Sequence, residues 1–203
     1  MRVKICGMRR REDILYANIL KPDYIGFIFA EGYKRQITYD LAYELKGLLD
    51  KDILAVGVYI NQPIEYIKEA VDRGIIDLIQ LHGNESDAYI KELKSIVHVP
   101  IINVYRVSEY ADYVLYDSKN PGSGIVNEFY GPKEDKPFFL AGGITIDNVL
   151  KMKEFHPFCI DTSSGVEQDG VKDFKKMKEF IEKVRLWVIQ NLAFLVDSIF
   201  LKP

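Results

Sequence analysis

The chain is poor in cysteine and histidine and has no surplus of positive charge. Its two cysteines, Cys6 and Cys159, are too few for a disulfide framework. Its three histidines show no metal-ligand spacing, so we expect no metal site. A formal net charge of -3 and a pI near 5.7 give no basic field for nucleic acid. A small anionic substrate can still bind to backbone amides and a few cations.

The sequence also has no low-complexity stretch and no linker, and we expect no secretory signal. The apolar run within Met1–Cys6 is too short for a signal peptide, so we expect a cytoplasmic protein with free thiols. Apolar residues make up 48% of the 203 residues, which is enough for a sizeable core. We expect one domain over residues 1–203, at the short end for an eight-fold barrel, which usually takes about 250 residues.

Short apolar runs alternate with longer amphipathic runs along the chain. Several short runs are apolar at both odd and even positions, which is typical of parallel strands buried on both faces. The predicted strands are Val3–Cys6, Tyr24–Phe29, Leu54–Ile60, Leu78–Leu81, Ile101–Val104, Tyr113–Tyr116, Phe138–Ala141 and Phe158–Ile160. The predicted helices are Glu12–Leu20, Tyr39–Leu49, Ile64–Arg73, Ser86–Ile96, Ile146–Phe155 and Val171–Leu186.

Strands separated by crossovers predict an α/β fold, either a closed (β/α)8 TIM barrel or an open doubly wound sheet. We favour the barrel because polar and glycine clusters recur after nearly every strand. A doubly wound sheet would concentrate them at one switch point. The fifth crossover contains only Val107–Ala111, so its helix is expected to be short or missing. The sixth crossover has room for a short helix near Val126–Tyr130.

Residues 184–203 form an apolar C-terminal extension of the predicted barrel. The run contains Arg185 and Asp197, which argue against a membrane-spanning helix. An extended last helix packed on the barrel is the first interpretation. An oligomer contact that buries an exposed apolar patch stays open, so we expect a monomer or a homodimer.

Cys6 and Asp117 are the candidate catalytic residues, because they end strands where barrels of this type carry their chemistry. Side-chain alternation turns Lys4 and Cys6 toward the barrel axis and Val3 and Ile5 toward the helices. A nearby ammonium would lower the pKa of the Cys6 thiol, and a thiolate can be a nucleophile or a general base. Apolar walls could keep Asp117 protonated as a general acid. An inert thiol and a loop carboxylate are the plainer interpretations.

Glycine and serine clusters follow the last two predicted strands. Gly142-Gly143 and Ser163-Ser164-Gly165 occupy the usual phosphate position of these barrels, although tight turns would also explain them. Arg35 lies in a loop and is a candidate to bind a carboxylate with two hydrogen bonds, unless it is a solvated surface arginine. His82 also follows a strand, but a lone histidine there is more often structural.

The motifs, taken in order, resemble the phosphoribosylanthranilate isomerase family of the tryptophan pathway. The similarity spans about residues 2–184. The matching segments are Val3-Lys4-Ile5-Cys6-Gly7-Met8, Gly26-Phe27-Ile28-Phe29, Lys34-Arg35, Gly57-Val58-Tyr59-Ile60-Asn61, Gln80-Leu81-His82-Gly83, Leu115-Tyr116-Asp117, Gly122-Ser123-Gly124, Ala141-Gly142-Gly143-Ile144, Asn148-Val149, Asp161-Thr162-Ser163-Ser164-Gly165-Val166-Glu167 and Gly170-Val171-Lys172-Asp173.

This resemblance implies an aldose–ketose isomerase that performs an Amadori rearrangement of N-(5-phosphoribosyl)anthranilate without a cofactor. It implies that Asp117 is the general acid that opens the furanose and that Cys6 is the general base that removes the C2 proton. It further implies that Arg35 holds the anthranilate carboxylate. It also implies that Gly142, Gly143, Ser163 and Ser164 belong to the phosphate-binding loops. Asp161, whose role stays open, and His82 are further implied substrate-binding residues.

Two other classes of function remain as alternatives. The first is another phosphate-binding barrel isomerase, such as the histidine-pathway Amadori isomerase or a pentose-phosphate epimerase. The histidine-pathway enzyme resembles this chain in reaction type but uses paired catalytic aspartates, one of which ends strand one, whereas strand one ends in Cys6 here. The epimerases depend on a metal cluster that this sequence lacks. The second alternative is a non-catalytic barrel that acts as a binding module. Retention of both Cys6 and Asp117 argues against it.

Overall fold

Eight parallel strands close into a barrel in the computed structural model, which describes residues 1–117 and 136–186. Each strand pairs with the next in chain order, and the first pairs with the last. The strands are β1 Arg2–Cys6, β2 Tyr24–Ile28, β3 Leu54–Tyr59, β4 Leu78–Leu81, β5 Ile101–Val104, β6 Tyr113–Tyr116, β7 Phe138–Leu140 and β8 Cys159–Thr162. The predicted TIM barrel is confirmed, and the doubly wound alternative is wrong because the sheet has no open edge.

The helices follow strands β1 to β4, β7 and β8, close to the predicted positions. They are α1 Arg11–Leu20, α2 Tyr39–Leu48, α3 Ile64–Asp72, α4 Asp87–Ile96, α5 Val149–Met152 and α6 at residues 174–186. A 3₁₀ turn at Lys153–Phe155 follows α5 directly. Side-chain caps fix two helix starts: the Thr38 hydroxyl accepts from the Leu41 amide, and the Ser86 hydroxyl accepts from the Tyr89 amide.

The last helix begins later than predicted. Val171–Lys172, expected to be helical, is instead strand β10 and pairs antiparallel with strand β9 at Glu167–Gln168. Asp169 and Gly170 both have positive φ angles, 52° and 79°, which suits the two-residue turn of a tight hairpin. The helix starts after Asp173, whose carboxylate accepts from the Lys176 amide at 2.9 Å.

Of the two crossovers predicted to be short, the structure describes the fifth. Residues 105–112, between β5 and β6, contain no helix, which confirms the predicted short or missing helix. The sixth crossover, including Val126–Tyr130, lies outside the described residues. Of the apolar extension only residues 184–186 are described, as the end of α6, so its role stays a prediction. Within the described parts of the chain, no helix is long and apolar enough to span a bilayer.

Side chains alternate between two apolar layers, as the sequence predicted. Val3 and Ile5 pack in the outer layer between strands and helices. Lys4 and Cys6 point the other way, and both are buried. The barrel interior is filled by a separate apolar cluster that includes Tyr24, Val56, Leu78, Ile102, Leu115, Phe139 and Cys159. The cavity described below lies above this packed floor, at the carboxyl ends of the strands.

Candidate active site

A cavity of about 410 Å³ lies at the carboxyl ends of the strands. All nine residues predicted to form the site line it: Cys6, Arg35, His82, Asp117, Gly142, Gly143, Asp161, Ser163 and Ser164. They come from six different strand ends, so the closed barrel brings together residues that are up to 158 positions apart. The structure therefore gathers the predicted acid, base, guanidinium and glycine loops around one space.

A buried ion pair lies beneath the cavity beside Cys6. Lys4 Nζ donates to Asp161 Oδ2 at 2.6 Å, and the two residues are partners in the β1–β8 register. Lys4 is completely buried although it lies near the start of the first strand. Burial lowers the pKa of Lys4, but the Asp161 carboxylate and the Cys6 sulfur outweigh it and raise the pKa above its ordinary value. Lys4 is therefore a permanent ammonium beside the thiol.

The pKa of the Cys6 thiol differs from the expectation. Burial raises the pKa above its ordinary value, and the Lys4 ammonium, although it acts to lower the pKa, only partly offsets burial. The Asp161 carboxylate raises the pKa further, and the Lys172 ammonium lowers it. The predicted net lowering of the Cys6 pKa is wrong because desolvation of the thiolate in the closed barrel outweighs the nearby ammonium. Cys6 is accordingly a weakly acidic thiol whose thiolate depends on two neighbouring cations.

Cys6 and Cys159 are both free thiols. In the β1–β8 register Cys159 pairs with Arg2, four positions before Cys6. Strands rise about 3.3 Å per residue, so roughly 13 Å of strand separates the two levels. A disulfide requires Cα atoms less than about 7 Å apart. A disulfide between Cys6 and Cys159 is therefore excluded, and the Cys6 thiol stays available.

Asp117 lies next to His82 in the wall of the cavity. Asp117 Oδ2 lies 3.5 Å from His82 Nε2, and the Asp117 side chain is 8% exposed. The His82 Nδ1 atom lies 3.0 Å from Gln80 Nε2. With the Gln80 amide as donor to Nδ1, the imidazole proton is on Nε2, directed at the carboxyl group. His82 is thus part of the site beside the candidate acid, which the sequence had left undecided.

Glu85 holds the loop that carries His82. One carboxylate oxygen accepts from the Asn61 amide at 2.7 Å, and the other accepts from the Gly83 amide at 2.9 Å. These bonds join the loops after β3 and β4, and Glu85 is buried. A carboxylate that receives two backbone amides is a rigid clamp, so His82 is presented on a fixed loop.

The two glycine loops pack tightly against one another. Gly142 and Gly143 have φ angles of 91° and 63°, a backbone conformation that favours glycine. The Thr162 hydroxyl donates to the Ile144 carbonyl at 2.7 Å. A Cβ on Gly165 would lie 2.1 Å from that same carbonyl oxygen, so only glycine permits this approach. The two loops consequently lie side by side at the cavity edge, a position where the backbone amides of glycine loops can bind an anion.

Arg35 is already engaged in the structure. Its Nε and Nη2 atoms donate to the two carboxylate oxygens of Glu167, at 2.7 and 2.8 Å. Its stem crosses Gly7, where a Cβ would lie 2.4 Å from Arg35 Cδ and where φ is +81°. Arg35 is therefore not a solvated surface arginine, and it lines the cavity through a fixed path across the end of β1.

Three further residues lie at or behind the cavity, and the sequence predicts no role for them. Gln80 lines the cavity, and the phenol of Tyr105 lies at its edge with its ring centroid 6.1 Å from that of His82. Burial, followed by the Asp117 carboxyl, raises the pKa of Tyr105 to about 12. Gln80 could have been found from its parity with His82, whereas Tyr105 gives no signal in the sequence. Lys172, within a matching motif, lies behind the serine loop and donates to the Ser163 carbonyl at 3.0 Å.

Among residues 1–117 and 136–186, no group of three or more His, Cys, Asp or Glu side chains is arranged to hold a metal ion.

A closed parallel barrel with ionisable side chains and glycine loops converging over its carboxyl end defines the class of βα-barrel enzymes that act on phosphorylated small molecules. The family model described as N-(5'phosphoribosyl)anthranilate (PRA) isomerase matches residues 3–183. The chain belongs to this family.

Individual relatives agree with the family match. The N-(5'-phosphoribosyl)anthranilate isomerase of Endomicrobium trichonymphae is 41% identical over 197 residues, covering 91% of this chain and 98% of that protein. The crystal structure of phosphoribosyl anthranilate isomerase from Thermus thermophilus superposes with a TM-score of 0.80 at 30% identity, covering 92% of this chain and all of that one. A phosphoribosyl anthranilate isomerase in complex with reduced 1-(o-carboxyphenylamino)-1-deoxyribulose 5-phosphate superposes with a TM-score of 0.75 at 27% identity, covering 90% and 97%.

Proposed function

We propose that this chain isomerises N-(5-phospho-D-ribosyl)anthranilate to 1-(2-carboxyphenylamino)-1-deoxy-D-ribulose 5-phosphate in tryptophan biosynthesis. The reaction is an Amadori rearrangement of the aldose–ketose type. The observation that carries the proposal is the convergence, in one cavity, of a thiol, a carboxyl group, a guanidinium and two glycine loops. The substrate has one chemical group for each of them, and the family match supplies that substrate.

Binding at two ends orients the substrate. The phosphate is assigned to the amides of the loops at Gly142-Gly143 and Ser163-Ser164, where glycine permits close backbone approach. The anthranilate carboxylate is assigned to Arg35, whose outer donor edge is not used by Glu167. The ribose then lies between these ends, over Cys6 on one side of the barrel and Asp117 on the other. Such two-point binding lowers the entropic cost of reaching the reacting geometry.

Ring opening is assigned to Asp117 as the general acid. Its proton passes to the furanose ring oxygen, the C1–O bond breaks, and the electron pair of the anilinic nitrogen forms the C1=N bond. The carboxyl suits this step because it is nearly buried and its Oδ1 atom has no hydrogen-bond partner among the described residues. The neighbouring His82 keeps the group oriented from its Oδ2 side.

Proton abstraction is assigned to Cys6 as the general base. The thiolate takes the C2 proton, and the C–H electron pair forms the C1=C2 enamine while the C=N electrons return to nitrogen. Protonation of C1 and loss of the C2 hydroxyl proton then give the ketone. The Lys4 and Lys172 ammonium groups stabilise the thiolate. The electron sink is the nitrogen of the substrate, so the proposal includes no metal or organic cofactor.

The proposal places the enzyme in the cytoplasm and gives it a small-molecule substrate, with no nucleic-acid or membrane partner. Both cysteines are free, as is usual where thiols are kept reduced. A monomer or a homodimer built through residues 184–203 remains the prediction for its assembly.

Turnover of the proposed substrate tests this function directly. Loss of the fluorescence of N-(5-phosphoribosyl)anthranilate, prepared from anthranilate and a phosphoribosyl donor, should require the protein and follow its concentration. Glu182→Gln, which alters only an exposed pair with Lys178, is the matched control and should keep full activity. A wild-type protein that does not accelerate the reaction would exclude the proposed function.

A further inference from the structure

We propose that Glu167 is a positioning residue that holds the Arg35 guanidinium with its outer edge turned to the substrate carboxylate. This inference rests on the proposed function, because it concerns how the anthranilate end of the substrate is bound. It explains a bidentate ion pair that lies beside the cavity and has no role in the proton transfers. Glu167 itself does not line the cavity, so it acts only through Arg35.

The hydrogen bonds between Arg35 and Glu167 show which guanidinium donors remain free for a ligand. A guanidinium has five N–H donors in a planar fork. Glu167 receives the side edge, formed by Nε and one hydrogen of Nη2, at 2.7 and 2.8 Å. The Nη1 atom has no acceptor among the described residues, so the end-on edge of Nη1 and Nη2 is free for a second carboxylate. Arg35 lines the cavity and is 22% exposed, so this edge is accessible to a ligand.

Charge balance supports the same arrangement. One guanidinium shared by two carboxylates would carry a net negative charge. The Lys172 side chain is 1% exposed, and its Nζ atom contacts Glu167 Oε1 at 2.7 Å and neutralises Glu167. Burial raises the pKa of Glu167, but hydrogen bonds from Arg35 and Lys172 outweigh it and bring the pKa to about 2. Arg35, Glu167 and Lys172 together therefore keep one positive charge, directed at the cavity.

The pair is also anchored to the rest of the site. Lys172 Nζ donates to the Ser163 carbonyl at 3.0 Å, and the Ser163 hydroxyl donates to the Cys6 carbonyl at 2.9 Å. Glu167 opens the β9–β10 hairpin, which directly follows the serine loop. The chain of contacts thus fixes the distance between the carboxylate end and the phosphate end of the substrate. A free arginine side chain, with several rotatable bonds, would lose rotamer entropy on binding that this pair has already removed.

The test compares two substrates in a double-mutant cycle. N-(5-phosphoribosyl)anthranilate carries the carboxylate, and N-(5-phosphoribosyl)aniline lacks it. With the first, Glu167→Gln should raise KM by about tenfold with kcat changed less than about threefold, as expected when a charge-assisted pair that orients a ligand-binding group is lost. Arg35→Ala should raise KM at least as much, and the double variant should be no worse than Arg35→Ala. With the aniline substrate, Glu167→Gln should leave kcat/KM within about twofold of wild type.

Folding is checked separately, since Glu167→Gln leaves the Lys172 ammonium buried without its anion. Glu167→Asp keeps the negative charge beside Lys172 but shortens the side chain that holds Arg35 by one methylene, so it should show the same selective rise in KM, of smaller size, if Glu167→Gln folds poorly. Glu182→Gln is the control for loss of a carboxylate elsewhere. Equal losses with both substrates, additive effects with Arg35→Ala, or an unchanged KM would each overturn the inference while wild-type turnover stays intact. An inactive wild type would overturn the proposed function and this inference with it.

Discussion

Lys4 and Asp161 form a buried ion pair across the seam where the first and last strands of the barrel meet. The Nζ–Oδ2 distance is 2.6 Å, and the side chains are 0% and 6% exposed. The pair joins β1 to β8 at the level just below Cys6 in the register. The second Asp161 oxygen, Oδ1, is buried and has no hydrogen-bond partner among the described residues. One carboxylate oxygen of Asp161 thus joins the two strands that close the barrel, and the other is buried without a hydrogen bond from the described residues.

Breaking this pair from one side should destabilise the protein strongly. Lys4→Met leaves the Asp161 charge buried and unpaired, so we expect the free energy of unfolding to fall by about 3–5 kcal/mol in urea denaturation. Lys4→Met/Asp161→Asn removes both charges and should recover much of that loss. A single variant as stable as wild type would show that the pair is not an ion pair in solution.

The activity should depend on pH through the Cys6 thiol. The base must be deprotonated, and burial raises its pKa above the ordinary value. The thiolate fraction therefore grows as pH rises toward the folded pKa, and log kcat/KM should increase through the neutral range with a slope of about one. The profile is measured with wild type and with Glu182→Gln as the control. A rate that is constant or falls over this range would argue against Cys6 as the base.

Gly26 should set the position of the thiol. A Cβ on Gly26 would lie 2.6 Å from Cys6 Sγ, so Gly26→Ala must displace the sulfur. A displacement of about 1 Å can cost about 10²-fold in rate, so we expect kcat to fall about tenfold to 10²-fold with a smaller change in KM. Steady-state kinetics measures both constants.

The matched control for this substitution is Gly47→Ala. Gly47 lies in α2, and its added Cβ would meet nothing within 4 Å. That variant should keep full activity and gain about 0.5–1 kcal/mol in stability, because alanine is the better helix former. Equal kinetic effects of the two glycine variants would show that the Gly26 effect is not local to the thiol.

The strand pattern and the strand-end residues could be predicted from the sequence because both depend on local rules. Side-chain parity placed Lys4 and Cys6 inward, and the carboxyl-end rule placed Asp117 and the glycine loops at the cavity. The hairpin at residues 167–172 differs from the predicted helix start at Val171, because strands of two residues are too short to show a periodic pattern. Its Asp169-Gly170 turn was nevertheless a readable signal.

The partners of the site residues could not be predicted in the same way. The Arg35–Glu167 pair joins positions 132 apart in sequence, and only the folded backbone brings them within hydrogen-bond distance. The direction of the Cys6 pKa shift could not be predicted because it depends on the balance between two ammonium groups and burial, and a strand pattern gives no measure of burial depth. The left-handed backbone at Tyr105, with φ 63°, gives no sequence signal in a tyrosine.

The assignment of base and acid is tested most directly by kcat of Cys6→Ser and Asp117→Asn with N-(5-phosphoribosyl)anthranilate, measured beside wild type. Each variant replaces a proton-transfer group with one of similar size. The account predicts that each loses at least about 10²-fold in kcat while the folded structure, followed by circular dichroism, is retained. Near wild-type turnover by folded Cys6→Ser or Asp117→Asn would contradict it.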